Sequence, residues 1–156
     1  MIWNFNDGGR EKAGFRGSAD DCVTRAIAIA SNTPYREVYD ELFRRQKKFV
    51  QTSRSKIARR ARERGTSCSP RTGVFPEAYK GYLDELGWKW EPLMHIGSGC
   101  TVHLDADELP GGTIICRLSK HLTVVVDGVI QDTHDCSRDG TRCVYGYWRR
   151  EDAGNG

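Results

Sequence analysis

The sequence lacks several features that would assign it to a common class. None of its six cysteines forms a C-x-x-C pair, so the most frequent structural zinc motif is missing. There is no run of about 18 apolar residues that could span a membrane as a helix. The first fifteen residues, MIWNFNDGGREKAGF, do not have the basic head and apolar middle of a secretory signal. We therefore expect a cytoplasmic protein with no membrane contact, no cofactor and mostly reduced cysteines.

The length limits the organisation of the chain. With 156 residues it can bury one hydrophobic core, so we predict a single domain over residues 1–156. The glycine-rich pieces NDGG and IGSGC lack the strand, glycine spacing and helix of a nucleotide-binding loop. Any activity must therefore be built from the elements of one fold.

Positive charge is concentrated in one segment. The net charge is only +3, yet ten basic residues stand against the single acid Glu63 between positions 44 and 64. Such a segment can bind nucleic acid or an acidic protein, or it can be a solvated helix face. Aromatic side chains for base stacking are nearly absent, with only Phe49 in this range. We expect residues 44–72 to be a mobile segment, with a loop from residue 51 onward that contains a short helix at residues 55–64.

The pattern of apolar residues changes along the chain. Apolar residues at helical spacing predict three helices in the first half, over residues 22–31, 34–49 and 76–87. Five short segments rich in branched and aromatic residues then predict strands, namely WKWEPL, TIICRLS, HLTVVVDG, VIQDTHD and RCVYGYW. This order predicts an α+β fold in which N-terminal helices pack on a C-terminal antiparallel sheet.

One predicted hairpin has a register that can be derived. Asp127-Gly128 between two apolar runs is a strong signal for a two-residue turn. Pairing outward from this turn places His121, Thr123, Asp132 and His134 on one face of the sheet, because successive side chains alternate in facing. His121 and Asp132 are then diagonal neighbours, close enough for a side-chain hydrogen bond.

These residues suggest a nucleophile and its base. A carboxylate that holds one imidazole nitrogen leaves the other nitrogen available to take a proton. Cys22 is the candidate nucleophile, because a helix N-terminus and an imidazolium both lower the pKa of a thiol. Asp20 and Asp21 act in the opposite direction unless one caps the helix and both point away from the thiol.

The same order of residues resembles the papain-like cysteine peptidase superfamily. Its members have a cysteine at the head of a buried helix, then a histidine at the start of a strand and an acidic residue on the adjacent strand. The hairpin HLTVVVDGVIQDTHD is similar to that strand pair, and the compact bacterial and phage members are closest in length. The resemblance implies a papain-like domain that cleaves an amide or isopeptide bond of a protein or peptide through Cys22, His121 and Asp132. It also implies a glutamine before the cysteine, but only Asn4 and Asn6 carry amides there.

Other interpretations stay open at this point. Cys22 can be an ordinary core residue, and His121 with Asp132 can be a structural pair. His121, Asp132 and His134 together can form a metal site with two histidines and one carboxylate. The chain can also be a binding module of the same fold without catalysis, which uses the basic segment Arg44 to Arg64 to bind nucleic acid or an acidic protein.

Overall fold

The computed structural model describes residues 1–17 and 19–150, which form an α+β domain. The described residues contain four helices, α1 (Cys22–Ser31), α2 (Tyr35–Thr52), α3 (Lys56–Arg64) and α4 (Pro76–Glu85). They also contain six strands, β1 (Trp3–Phe5), β2 (Trp88–Pro92), β3 (Thr113–Leu118), β4 (His121–Val126), β5 (Val129–Asp132) and β6 (Gly146–Arg150). The predicted helices and strands are all present, with shifts of a few residues at their ends.

The six strands form one sheet with hydrophobic residues buried on both faces. The strand order is β1-β5-β4-β3-β6-β2. Helices α1 and α4 pack on one face of the sheet and α2 packs on these two helices, and Ile27, Leu42 and Leu83 are fully buried in the core between these elements. The opposite face is covered by loop residues, including Leu104 and others from 93–112 and 133–145. Helix α1 therefore lies buried next to the central strands β3 and β4.

The basic segment is more helical than the sequence suggested. Helix α2 continues to Thr52, and Arg62 of α3 donates hydrogen bonds to the carbonyls of Val50 (2.6 Å) and Ser53 (2.8 Å). These bonds satisfy carbonyl groups at the end of α2 that have no partner within that helix. The hydroxyl of Ser55 accepts a hydrogen bond from the Ala58 N–H and caps α3, as the predicted short helix requires.

The derived hairpin register is confirmed. Val126 pairs with Val129, Val125 with Ile130 and Val124 with Gln131. Asp127 and Gly128 both have positive φ, 47° and 82°, which a type I′ turn requires at its two central residues. The turn therefore sets which residues of β4 and β5 share a face.

The prediction of an antiparallel sheet was wrong for one strand. β2 to β6 pair antiparallel, but β1 pairs parallel with β5, so Trp3 lies opposite Ile130 and Phe5 opposite Asp132. The strand has three residues, all exposed, so its sequence WNF is too short to give a strand signal and no face of it is buried. Its strand conformation depends on the neighbouring strand rather than on a local pattern. A strand of the sheet therefore precedes the first helix, so the sheet is not built from the C-terminal half alone.

Most of the cysteines are free thiols, as expected, but two of them are bonded to each other. Cys100 and Cys143 form a disulfide, with their Cα atoms 5.8 Å apart. Their loops meet because His103 and Cys143 form an isolated antiparallel bridge. The other cysteines, 22, 68, 116 and 136, are free thiols.

Among the residues that the structure describes, none of the helices combines the length and the apolar character needed to cross a bilayer.

Candidate active site

The fold brings Cys22, His121 and Asp132 together at one end of the sheet. Cys22 is the first residue of α1, His121 is the first of β4, and Asp132 is the last of β5. A tight turn between β3 and β4, with Lys120 at φ +55°, places His121 at this end. The three residues converge because α1 packs against β4 with its N-terminus beside the start of that strand.

His121 and Asp132 make the predicted hydrogen bond. His121 Nε2 lies 2.8 Å from Asp132 Oδ2, and the Thr123 hydroxyl donates to the same oxygen over 2.7 Å. The Thr133 N–H donates to the other oxygen, Oδ1, over 2.7 Å. Burial alone would raise the pKa of Asp132, but the hydrogen bond and charge of His121, with Thr123 and Thr133, lower that pKa to about 2. The carboxylate therefore stays ionised and fixes the imidazole.

The Cys22 thiol is another hydrogen-bond partner of His121, besides Asp132 and Cys136. Since Nε2 is held by Asp132, Nδ1 is the nitrogen left for the thiol. Burial alone would raise the pKa of Cys22, but hydrogen bonds from the His121 side chain and the Leu122 N–H, with the charge of Arg25, lower it. Burial alone would lower the pKa of His121, but its hydrogen bonds to Asp132, Cys136 and Cys22 raise it to about 11. Both shifts favour a thiolate beside an imidazolium.

The aspartate next to Cys22 does not oppose this arrangement. Asp21 occupies the N-cap position of α1, but its side chain makes no capping hydrogen bond, contrary to the expectation that one of the two aspartates caps the helix. Its buried carboxylate instead pairs with Arg25, lies 3.3 Å from Arg10 Nε and accepts a hydrogen bond from the Tyr35 hydroxyl (2.6 Å). Two guanidinium groups thus neutralise its charge next to the thiol.

Arg25 is a site residue that the sequence analysis did not identify. One turn after Cys22 on α1, it contacts Asp21 and reaches Asp132, with Nη2 3.5 Å from Oδ1. Its side chain therefore links the nucleophile helix to the acid strand. The spacing of four residues between Asp21 and Arg25 was a signal for an ion pair on one helix. The contact with Asp132, 107 residues away, had no local signal.

The metal interpretation needs different residues from those predicted. His134 is 57% exposed, and its Nδ1 is 4.0 Å from Asp132 Oδ1. Among the described residues, the ligand atoms that converge within 4.8 Å belong to His121, Asp132 and Cys136, and His134 is not included. The site with two histidines is therefore not formed as predicted. The Cys136 thiol lies 3.8 Å from Asp132 Oδ2.

A cleft of about 830 Å³ opens at the Cys22–His121 pair. One wall consists of residues 19–25 and the start of α4 with Tyr79. The other wall consists of the β3–β4 turn from Arg117 to Leu122, with Thr133, His134 and Tyr145. This volume lies in the range of sites that hold a small molecule or a few residues of a peptide.

No side-chain amide from the N-terminus reaches the cleft. The Asn4 amide donates to Gln131 over 2.9 Å, and the Asn6 amide oxygen accepts from the Gly8 N–H. The described residues that line the cleft include neither asparagine nor glutamine. The backbone N–H of Cys22 lies in the first turn of α1, where the first helical bond is made by Arg25 N–H, so it has no acceptor within the helix.

Comparisons with known proteins find no relative on which to base a function. No protein-family model matches the chain, and the searches of curated proteins and of solved structures give no match either.

Proposed function

We propose that this protein is a papain-like thiol hydrolase that cleaves an amide or isopeptide bond of a protein or peptide. The observation that carries the proposal is the hydrogen-bonded series Cys22, His121 and Asp132 at the mouth of a cleft. A thiol with a lowered pKa, a base and a group that orients the base are the components of nucleophilic catalysis by cysteine.

The first half of the proposed reaction forms a thioester. The Cys22 thiolate attacks the carbonyl carbon of the substrate, and the carbonyl oxygen becomes an oxyanion near the Cys22 N–H. Protonated His121 donates its proton to the leaving amine as the C–N bond breaks. The acyl group then remains on sulfur, and His121 is neutral.

The second half returns the enzyme to its starting state. Neutral His121 accepts a proton from a water molecule, which attacks the thioester carbon. The C–S bond breaks, the carboxylic acid leaves, and the sulfur and the imidazole return to the thiolate–imidazolium pair. Asp132 stays ionised throughout and stabilises the imidazolium each time it forms.

The thioester can be tested with an activated ester such as p-nitrophenyl acetate. We expect a burst of nitrophenol and an acetyl group on Cys22 in the peptide map, as expected for an accumulating acyl-enzyme. Cys22→Ala should lose both the burst and the label, whereas Cys68→Ala, a thiol outside the cleft, should keep them. Labelling of Cys22 no faster than of Cys68 would contradict the proposal.

A binding module without catalysis is the second candidate function. The exposed basic side chains on α2 and α3, including Lys48, Arg59 and Arg60, favour it. Its test is the affinity for a DNA or RNA oligonucleotide at several salt concentrations. Affinity that falls steeply with salt and is equal in Cys22→Ala would favour the module, particularly if no acyl-enzyme forms.

The cytoplasmic location stays a prediction. Disulfides are rare in reducing compartments, so the Cys100–Cys143 bond provides a test of it. If both thiols are reduced in protein that is trapped with an alkylating agent at cell lysis, the prediction is supported, and a persistent disulfide would contradict it.

A further inference from the structure

We propose that the substrate carries a carboxylate close to the bond that is cleaved, and that Arg117 with the Tyr79 hydroxyl forms the subsite that binds it. This inference rests on the proposed function, because it describes the substrate of the same cleft. It adds the chemical class of a neighbouring substrate group, which the Cys22–His121–Asp132 triad does not specify.

Arg117 lies close to the nucleophile through the register of the sheet. It pairs with Leu122 of β4, and the Leu122 N–H donates a hydrogen bond to Cys22 Sγ. Residues directly opposite in an antiparallel pair have Cβ atoms about 5 Å apart. Arg117 alternates with Ile114 and Cys116, which face the loop side, so its side chain starts on the helix side with Ile115. The guanidinium thus enters the cleft within reach of a group bound next to Cys22.

The other residue that pairs with Arg117 in the sheet carries no charge. On β6, Arg117 pairs with Gly146, which has no side chain. The ring of Trp90 lies over Gly146, where an added Cβ would overlap Trp90 Cη2 and Cζ2. The Trp90 ring is aromatic and carries no acidic group. Neither of the residues that pair with Arg117 across the sheet therefore supplies a counter-charge.

The charge of Arg117 is not neutralised within the described part of the chain. Its side chain is half-buried and makes no hydrogen bond or ion pair to residues 1–17 or 19–150. In contrast, Arg25 in the same cleft is paired with Asp21 and Asp132. A guanidinium remains protonated at any pH relevant to proteins, and its partial removal from water is costly without an anionic partner. A substrate carboxylate would supply that partner in a bidentate geometry.

Tyr79 provides a neutral donor beside this cation. The residue is 4% exposed and lines the cleft from α4, and its hydroxyl makes no hydrogen bond to the described residues. Burial raises the pKa of Tyr79, the Arg117 charge lowers it, and the charges of Cys22 and Glu77 raise it, so these groups lie close enough to act on the hydroxyl. The phenol therefore keeps its proton and can donate it in a hydrogen bond to a carboxylate.

Two alkylating agents of nearly the same size test this subsite. Iodoacetate carries a carboxylate one carbon from sulfur after reaction, whereas iodoacetamide carries a neutral amide. The rate of each at Cys22 is measured by mass spectrometry, and Cys68 serves as the internal reference. The ratio of the two rates cancels any change in thiol ionisation, so it reports only the preference for an anion.

We expect the ratio of the iodoacetate rate to the iodoacetamide rate at Cys22 to fall about tenfold in Arg117→Gln and to recover in part in Arg117→Lys. Tyr79→Phe should lower it by a smaller factor. Lys89→Gln, which removes the same charge from an exposed position outside this cleft, should leave it unchanged. Because protonated His121 also attracts an anion, only the dependence of the ratio on Arg117 supports the subsite.

Failure of the carboxylate subsite and failure of the proposed function give different results. Fast iodoacetamide alkylation of Cys22 with a ratio that is equal in wild type and Arg117→Gln would overturn the carboxylate subsite and leave the thiol hydrolase intact. Iodoacetamide alkylation of Cys22 no faster than of Cys68 would overturn the proposed function and the subsite with it.

Discussion

The cleft and the basic segment use charged residues in opposite ways. In the cleft, Asp21 and Asp132 are 2% and 3% exposed, and each is bound by several donors. In the basic segment, Arg62 caps α2 and Arg44 and Arg45 pair with glutamates, while the other seven basic side chains are exposed. Buried charges interact strongly because water does not screen them, and exposed charges interact weakly.

This difference shows why the concentration of charge in a sequence is a poor guide to chemistry. The basic segment is the most conspicuous charge feature of the sequence, yet its side chains lie mostly in solvent. The triad has one acid and one histidine on the hairpin, and their hydrogen bonds and charges outweigh the effect of burial and move the pKa of each far from its ordinary range. We therefore expect substitutions in the cleft to change stability and reactivity much more than substitutions in the basic segment.

The largest effect on stability is expected for Asp132→Asn. The change leaves the buried, protonated His121 without its carboxylate and leaves Arg25 with Asp21 alone, which should lower the free energy of unfolding by about 3 kcal/mol near neutral pH. It should also slow thioester formation on the order of 10²-fold, since the base loses the group that orients it. Urea denaturation and the nitrophenol burst measure the two effects, and a variant as stable as wild type would contradict this account.

The Asp132–His121 pair predicts how the stability difference between wild type and Asp132→Asn varies with pH. The pKa of Asp132 is lowered to about 2 in the folded protein. Its contribution to stability is therefore complete above about pH 4 and is lost as the pH falls toward 2. The pKa of His121 is raised to about 11, so its contribution is full below about 6.5 and is lost as pH rises toward 11. The difference in unfolding free energy between wild type and Asp132→Asn should therefore be greatest between about pH 4 and 6.5. A difference that is constant from pH 3 to 9 would contradict the coupling.

A small effect is expected for His134→Ala. The side chain is more than half exposed and lies beside Asp132 without joining the group of convergent ligand atoms. The burst rate should stay within about threefold of wild type, in keeping with substitutions at exposed positions. Loss of the burst in this variant would contradict this account and would support a metal site or a direct role for His134.

The smallest effect is expected in the basic segment. Arg59→Gln with Arg60→Gln should change the free energy of unfolding by no more than about 0.5 kcal/mol and leave the alkylation of Cys22 unchanged. The same double variant should weaken any binding to an oligonucleotide and reduce its salt dependence. A large loss of stability would mean that these side chains make contacts that the structure does not contain.

Local rules were sufficient where the determining residues are close in sequence. Asp127-Gly128 fixed the β4–β5 register, and that register placed His121 beside Asp132. Pro76 marked the start of α4, because proline suits the first turn of a helix. The face shared by the two catalytic candidates thus followed from the turn and the alternation of side chains.

Contacts between distant residues could not be derived in this way. The parallel pairing of β1 with β5 spans more than 120 residues, and the Cys100–Cys143 bond joins two loops across 43 residues. The link from Arg25 to Asp132 depends on how α1 packs against the sheet, which no local pattern encodes. The orientation of Asp21 away from the thiol depends on Arg10, which precedes α1 in a loop.

The most direct test of the central claim is the rate of iodoacetamide alkylation at each free cysteine as a function of pH, in wild type and in His121→Ala. We predict that Cys22 reacts fastest, with an apparent pKa below its ordinary value, and that this pKa rises when His121 is removed. Slow alkylation of Cys22, or a rate that does not depend on His121, would show that Cys22 is a core residue and would contradict the proposed catalytic triad.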